Sequence, residues 1–99
     1  MVAFSASIQT QLGLTWDRWK RHVAAVEEAG FAGLYLSDHF VMRGPPDWDS
    51  LDLIVALTYL ASHSERIHFG PLVAPLSFRD PVILARQAVA LDDLSEGRM

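Results

Sequence analysis

The sequence predicts an α/β fold made of three consecutive βα units with parallel strands, and three observations predict it. Short apolar runs alternate with stretches whose apolar residues recur at helical spacing. Each helical stretch opens on a capping side chain, at Thr15, at Asp49 or Ser50, and at Asp80. The first and third also close on a glycine, Gly30 and Gly97. Strict alternation of this kind specifies parallel strands joined by helical crossovers.

From Val2 to Ile8, the residues Val2, Phe4 and Ile8 share one parity with Ala6, while Ala3, Ser5 and Ser7 take the other. This reads as a strand with one small, partly polar face. Thr15 caps the first helix, Asp17 lies in its first turn, and Trp16, Trp19, Val23 and Val26 supply its apolar positions. Leu34 to Ser37 forms the second strand. The loop Asp38 to Asp49 carries Gly44-Pro45-Pro46, which continues neither a helix nor a central strand, and it is longer than a simple connection needs. The second helix places Leu51, Ile54, Leu57, Leu60 and Ala61 on one face and ends near His63-Ser64-Glu65-Arg66. Ile67 to Val73 reads as the third strand, with Gly70-Pro71 marking strain, a bulge or the boundary of the sheet. Asp80-Pro81 is a cap followed by proline at the first helical position. Ile83, Leu84, Gln87, Ala88, Leu91 and Leu94 then form the apolar side of the third helix.

Composition narrows the function classes. With 51% hydrophobic and 20% charged residues among 99, the chain has the make-up of one small globular domain. Twelve acidic against eight basic side chains give a net charge of -4, a field that repels a phosphate backbone or an anionic membrane and argues against nucleic acid as a partner. The absence of cysteine removes disulfides, thiolate nucleophiles and Cys-based zinc sites, and suits a cytoplasmic protein. No basic n-region or long apolar h-region opens the chain, and the aliphatic run Leu51 to Leu57 is broken by Asp52, so no export signal or membrane span is expected. His22, His63 and His68 lack metal-ligand spacing, and no metal is expected. Gly-x-Gly-x-x-Gly, P-loop and Gly-x-Ser-x-Gly patterns are absent as well.

Alternating βα units build either a closed barrel or an open doubly wound sheet. After Gly97 the pattern demands a fourth strand, and the sequence runs only to Met99. A (β/α)8 barrel takes about 250 residues. Residues 1–99 are therefore expected to form the N-terminal portion of such a barrel, a partial domain ending before the fourth strand. A self-sufficient three-stranded unit would leave two open edges.

Chemistry points to Gly33-Leu34-Tyr35-Leu36-Ser37-Asp38-His39-Phe40, where an apolar strand stops on an Asp-His pair. Ionisable groups at the C-terminal ends of parallel strands are where such folds place their reactions. An imidazole titrates near neutral pH, so His39 suits proton exchange; the plainer reading is a surface His beside a capping or ion-pairing Asp38. Ser7 and Gln9, at the end of the first strand, either reach the same mouth or merely permit packing. Trp48 either stacks on a bound ring or staples the entrance of the second helix. Arg79 and Arg98 either meet a phosphate or pair with Asp80 and Glu96.

The ordered set of segments carries a resemblance. A Ser-bearing first strand is followed by Gly30-Phe31-Ala32-Gly33-Leu34-Tyr35-Leu36-Ser37-Asp38-His39-Phe40, then Arg66-Ile67-His68-Phe69-Gly70-Pro71-Leu72-Val73 and Arg79-Asp80-Pro81. Leu84-Ala85-Arg86-Gln87 leads on to Leu91-Asp92-Asp93-Leu94-Ser95-Glu96-Gly97-Arg98. Together they resemble the N-terminal part of the bacterial luciferase-like monooxygenases, flavin- or deazaflavin-dependent oxidoreductases with a TIM (β/α)8 barrel, over nearly the whole chain. The resemblance implies a cofactor ring at the C-terminal mouth, either reduced FMN or the 5-deazaflavin coenzyme, and a small organic substrate. It implies catalysis by His39, with Asp38 orienting it or binding a polar group of the cofactor. Pro71, Leu72, Val73 and Ser7 would border the ring. A non-proline cis peptide is implied near Pro71-Leu72, at a cost of about 3 to 4 kcal/mol. Relatives are often dimers, so a homo-oligomer is a further expectation. The isolated chain, lacking the later loops, is expected to bind flavin negligibly and to turn nothing over. Two other readings stand beside this one: a deazaflavin-dependent hydride-transferring dehydrogenase or reductase of the same family, and a non-catalytic fragment or self-associating interaction module.

Overall fold

In the computed structural model, which describes residues 1–99, the elements run β1 (Ser5–Ile8), α1 (Trp16–Glu28), β2 (Gly33–Leu36), α2 (Leu53–His63), β3 (His68–Pro71) and α3 (Pro81–Leu94). The strands form one parallel sheet in the order β1-β2-β3. Ser7, Tyr35 and Gly70 stand in one register row, and Ile8, Leu36 and Pro71 in the next.

Alternation along each strand sorts the side chains onto two faces. Ala6, Ile8, Leu34, Leu36 and Phe69 turn toward the helices and join Trp19, Val23, Leu53, Leu57, Leu60 and Leu91 in the core. The opposite face holds Ser5, Ser7, Gly33, Tyr35, His68 and Gly70, and Ser5, Ser7 and His68 are exposed there. Trp19 is fully buried, and its indole N–H donates to the Ala56 carbonyl at 2.9 Å, which ties α1 to α2 and satisfies the one polar atom of a large apolar ring.

Two of the three caps fall where the sequence places them. The Thr15 hydroxyl accepts from Arg18 N, and the Asp80 carboxylate accepts from Val82 N and Ile83 N with Pro81 opening α3. Each such cap contributes about 1 kcal/mol. The second differs: α2 begins at Leu53 and is capped by Asp52, whose Oδ1 accepts from Val55 N at 3.0 Å, not by Asp49 or Ser50. Ser50 is drawn away by a tertiary bond described below, so Leu51 reaches the core from outside the helix.

The strands are shorter than their apolar patterns. Val2 and Phe4 lie outside β1 and are exposed, because pairing with the next strand begins only where Phe4 O accepts from Ala32 N. Ser37 leaves β2. β3 stops at Pro71, leaving Leu72 and Val73 beyond it and exposed, so Gly70-Pro71 marks the sheet boundary. On α3, Leu84, Gln87, Ala88 and Leu91 turn inward as expected, but Ile83 and Leu94 face solvent. The peptide after Pro71 is trans; the cis bond of the chain is Pro45-Pro46. Leu72 N donates to Leu36 O at 2.8 Å, which carries the parallel ladder one bond past Pro71, and the trans bond there is the default of a non-proline peptide.

Arg98 closes the third unit. Its side chain donates to the carbonyl oxygens of Ser95, Ile67, Ala61 and Ser64 and to the Ser64 hydroxyl, of which Ala61 and Ser64 lie at the C-terminal end of α2, rather than pairing with Glu96. Its own carbonyl accepts from Phe69 N at 3.0 Å on the outer edge of β3. Two residues further along that edge stands Pro71, which has no N–H.

Candidate active site

Parallel strands deliver their following residues to one end of the sheet, and the candidate site lies there. As β2 ends, Ser37 and Asp38 remain buried while His39 emerges exposed. Asp38 is held by Arg79, from the segment leading into α3, and Arg79 also donates to Asp52 Oδ2 at 3.0 Å. One guanidinium thus joins the end of β2, the cap of α2 and the approach to α3. The Asp38 side chain is 1% exposed, Arg79 13% and Asp52 46%, so the pair is desolvated on one side and wet on the other. The hydrogen bond to Asp38 raises the Arg79 pKa above its ordinary value, aided by the charges of Asp38 and Asp52 and opposed by burial. Because folding raises it, the stabilisation that Arg79 gains is complete at every pH below its unfolded value and is lost only at more alkaline pH.

The sequence leaves Arg79 to meet a phosphate, to stay solvated or to pair with a carboxylate such as Asp80. That carboxylate is spent on the α3 cap, and the true partner lies 41 positions away. Asp38 makes no hydrogen bond to His39, and its second oxygen, Oδ1, is buried without a partner. Its geometry is that of an anchor through Oδ2 and an unspent acceptor through Oδ1.

The His39 carbonyl, by contrast, is fully engaged. The Thr10 hydroxyl donates to it at 2.8 Å and the Ser50 hydroxyl at 2.9 Å. Thr10, a buried polar residue two places past the end of β1, has no local signature in the sequence, and Ser50 stands out there only as a candidate cap of the second helix. Phe40 follows and stacks on Phe78, with ring centroids 4.8 Å apart, so the loop after β2 meets the loop after β3.

The other expected residues fall on the same end in different ways. Ser7 is exposed in the row with Tyr35 and Gly70, on the face away from the helices. Leu72 and Val73 are exposed just past β3. Pro71 shares the parity of Phe69 and is half-buried toward the helices, so it supports this end of the sheet without lining the open face. Gln9 is exposed and receives a hydrogen bond from Gln11. Trp48 is exposed and lines a cleft of about 470 Å³ with Leu12, Gly13, Arg18 and Asp49, well before the start of α2, so it does not staple that helix.

This end of the sheet carries small and apolar groups. A Cβ added at Gly70 would meet nothing nearer than the Tyr35 ring at 3.9 Å, Ser7 contributes only a hydroxyl, and Leu72 and Val73 offer apolar contact. The unpartnered Asp38 Oδ1 is enclosed within the chain beside the Arg79 pair.

The family model described as luciferase-like monooxygenase matches residues 1–99. The chain belongs to that family. A Mycobacterium tuberculosis protein provisionally named a coenzyme F420-dependent oxidoreductase is 36% identical over 76 residues, which are 77% of this chain and 19% of that protein. The chain therefore spans about a fifth of that relative's length. Among solved structures, the coenzyme F420-dependent tetrahydromethanopterin reductase of Methanopyrus kandleri superposes with a TM-score of 0.76 at 24% identity, over 98% of this chain and 25% of that one. A riboflavin lyase solved with modified FMN and riboflavin gives 0.80 at 20% identity, over 97% and 28%. A monooxygenase of Streptomyces bottropensis gives 0.73 at 18% identity, over 96% and 31%. At these identities the structural likeness shows the fold alone, the parallel α/β arrangement of TIM-barrel luciferase-like enzymes. No helix is long and apolar enough to cross a membrane.

Proposed function

We propose that residues 1–99 supply one side of a flavin-type oxidoreductase site in which His39 handles a proton for the reacting centre. The observation that carries this reading is an exposed histidine whose backbone carbonyl accepts from two hydroxyls at the C-terminal end of a parallel sheet. A bound flavin or deazaflavin ring would supply the electron pair or hydride. Ser7, Leu72 and Val73 would border the ring, Pro71 would back them, and Asp38, held by Arg79, would fix the chain just before His39. His39 would give or take the accompanying proton.

The deazaflavin coenzyme is favoured over FMN by the name of the 36%-identical relative, with hydride exchange rather than oxygen insertion as the reaction class. The substrate is a small organic molecule. The test is made in the protein that carries this chain, by following reoxidation of reduced deazaflavin and of reduced FMN for the wild type and for His39→Asn. A loss of about 10²- to 10⁴-fold in the chemical step with cofactor affinity retained is expected. An unchanged rate overturns the role of His39, and turnover with FMN alone overturns the preference for deazaflavin.

One observation favours a second reading, a self-associating module: the outer side of α3 leaves Val82 67% and Val89 71% exposed. Light scattering of the isolated chain decides it, a mass independent of concentration removing this reading. Flavin titration of the same sample is expected to show negligible ring quenching.

A further inference from the structure

Thr10 and Ser50, we infer, are positioning residues for His39: their hydroxyls close on its carbonyl oxygen from two separate loops and fix the peptide there while the imidazole stays free. This rests on reading His39 as the reacting group.

The hydrogen-bond accounting assigns each proton. Thr10 is wholly buried, and its hydroxyl has a single proton with two carbonyl acceptors in reach, His39 O at 2.8 Å and Ser37 O at 3.3 Å. The shorter contact takes it. Ser37 Oγ accepts from Thr10 N at 3.0 Å and donates to Gln11 Oε1 at 3.2 Å, so its own proton is also spent. That leaves the 3.3 Å approach of the two hydroxyl oxygens as a contact without a proton to share. Ser50 Oγ donates to His39 O at 2.9 Å, and both lone pairs of that carbonyl are then occupied.

The surroundings make this anchoring specific to one peptide. Residues 41 to 49 are all exposed, so the loop beyond has little burial to order it. Immediately before His39, the Asp38 side chain is held by Arg79. Immediately after, Phe40 stacks on Phe78. Fixing a backbone residue costs conformational entropy, which the folded protein here meets before any ligand arrives. The imidazole makes no hydrogen bond within the chain, so the restraint falls on the main chain alone. A proton donor held this way keeps its origin fixed and its rotamer free, which is what orientation in a proton transfer requires.

The test reads the peptide directly. The His39 carbonyl and the Phe40 N–H share one peptide plane, so the ¹⁵N order parameter of Phe40 reports the anchor. In the wild type and in Thr10→Ser it is expected near 0.85, and in the Thr10→Val/Ser50→Ala double variant below about 0.6. Ser50→Ala alone, at a half-buried loop position, is expected to give an intermediate value and keeps the test decisive if Thr10→Val does not fold. In the protein that carries this chain, Ser50→Ala should lower kcat about tenfold at unchanged cofactor KM and unchanged melting temperature, which simple loss of stability would not do. Wild-type order at Phe40 in the folded variants overturns the inference, and so does lowered order with unchanged kcat where His39→Asn is inactive. If His39→Asn is itself fully active, the functional reading falls and the catalytic purpose of the anchor falls with it, while the Phe40 measurement reports the anchor on its own.

Discussion

Asp38 and Arg79 form an ion pair across the end of the sheet, the carboxylate 1% and the guanidinium 13% exposed. The pair also reaches water through Asp52, which is 46% exposed. It joins three segments that share no sequence proximity.

Breaking such a pair from one side costs more than removing it altogether, because the survivor is left charged and desolvated. Arg79→Ala strands a carboxylate that already has one unpartnered oxygen, and a loss of about 3 to 5 kcal/mol is expected in urea denaturation. The Asp38→Leu/Arg79→Leu double variant should be more stable than Arg79→Ala. Asp52→Asn, which keeps a capping side chain and removes only the wetter contact, should cost at most about 1 kcal/mol. Equal losses for Arg79→Ala and Asp52→Asn would show that the buried half of the pair has no special weight.

Gly33 and Gly70 sit in adjacent strands yet should respond oppositely to alanine. At Gly33 an added Cβ would stand 3.0 Å from the His68 carbonyl oxygen and from Tyr35 Cε2 and 3.1 Å from Ser5 Oγ, so these neighbours must give by a few tenths of an ångström. At Gly70 the nearest atoms are 3.9 Å away. Gly33→Ala is expected to lower stability by about 1 to 3 kcal/mol, as overpacking does, and Gly70→Ala to leave it unchanged or slightly raised. Thermal melts of the two variants, side by side, check the ordering.

Arg98→Lys retains the charge and loses the fork. A lysine ammonium cannot reach the four carbonyl oxygens and the Ser64 hydroxyl together. Stability should fall by about 1 to 3 kcal/mol, with amide exchange accelerating in α2 and at Phe69 before other core positions. Uniform acceleration across all three helices would instead indicate a global effect.

How much of this was legible depended on the range of the interaction that decides it. The parallel α/β order and the caps at Thr15 and Asp80 follow from contacts within a few residues, and the sequence shows them. Asp52 was missed because Asp49, Ser50 and Asp52 all suit a cap, and only the bond from Ser50 to His39 O, across the loop, separates them. Strand ends were overextended because apolar alternation continues through Val2 and Val73, where no neighbouring strand is there to pair. Asp38 and His39 were visible as an ionisable ending on an apolar run. Their supports were not: Arg79 lies 41 positions from Asp38, and Thr10 lies 29 from His39. A residue whose role is to accept or donate at that range carries no periodicity of its own.

The outer edge of β3 has a consequence for how the molecule behaves in crowded solution. Along that edge the Phe69 N–H is already taken by Arg98 and Pro71 has none to offer. A stray extended peptide arriving there meets carbonyl oxygens without the alternating donors that templated fibril growth needs. Beside Arg98, β3 therefore offers an incoming strand no N–H at these two positions.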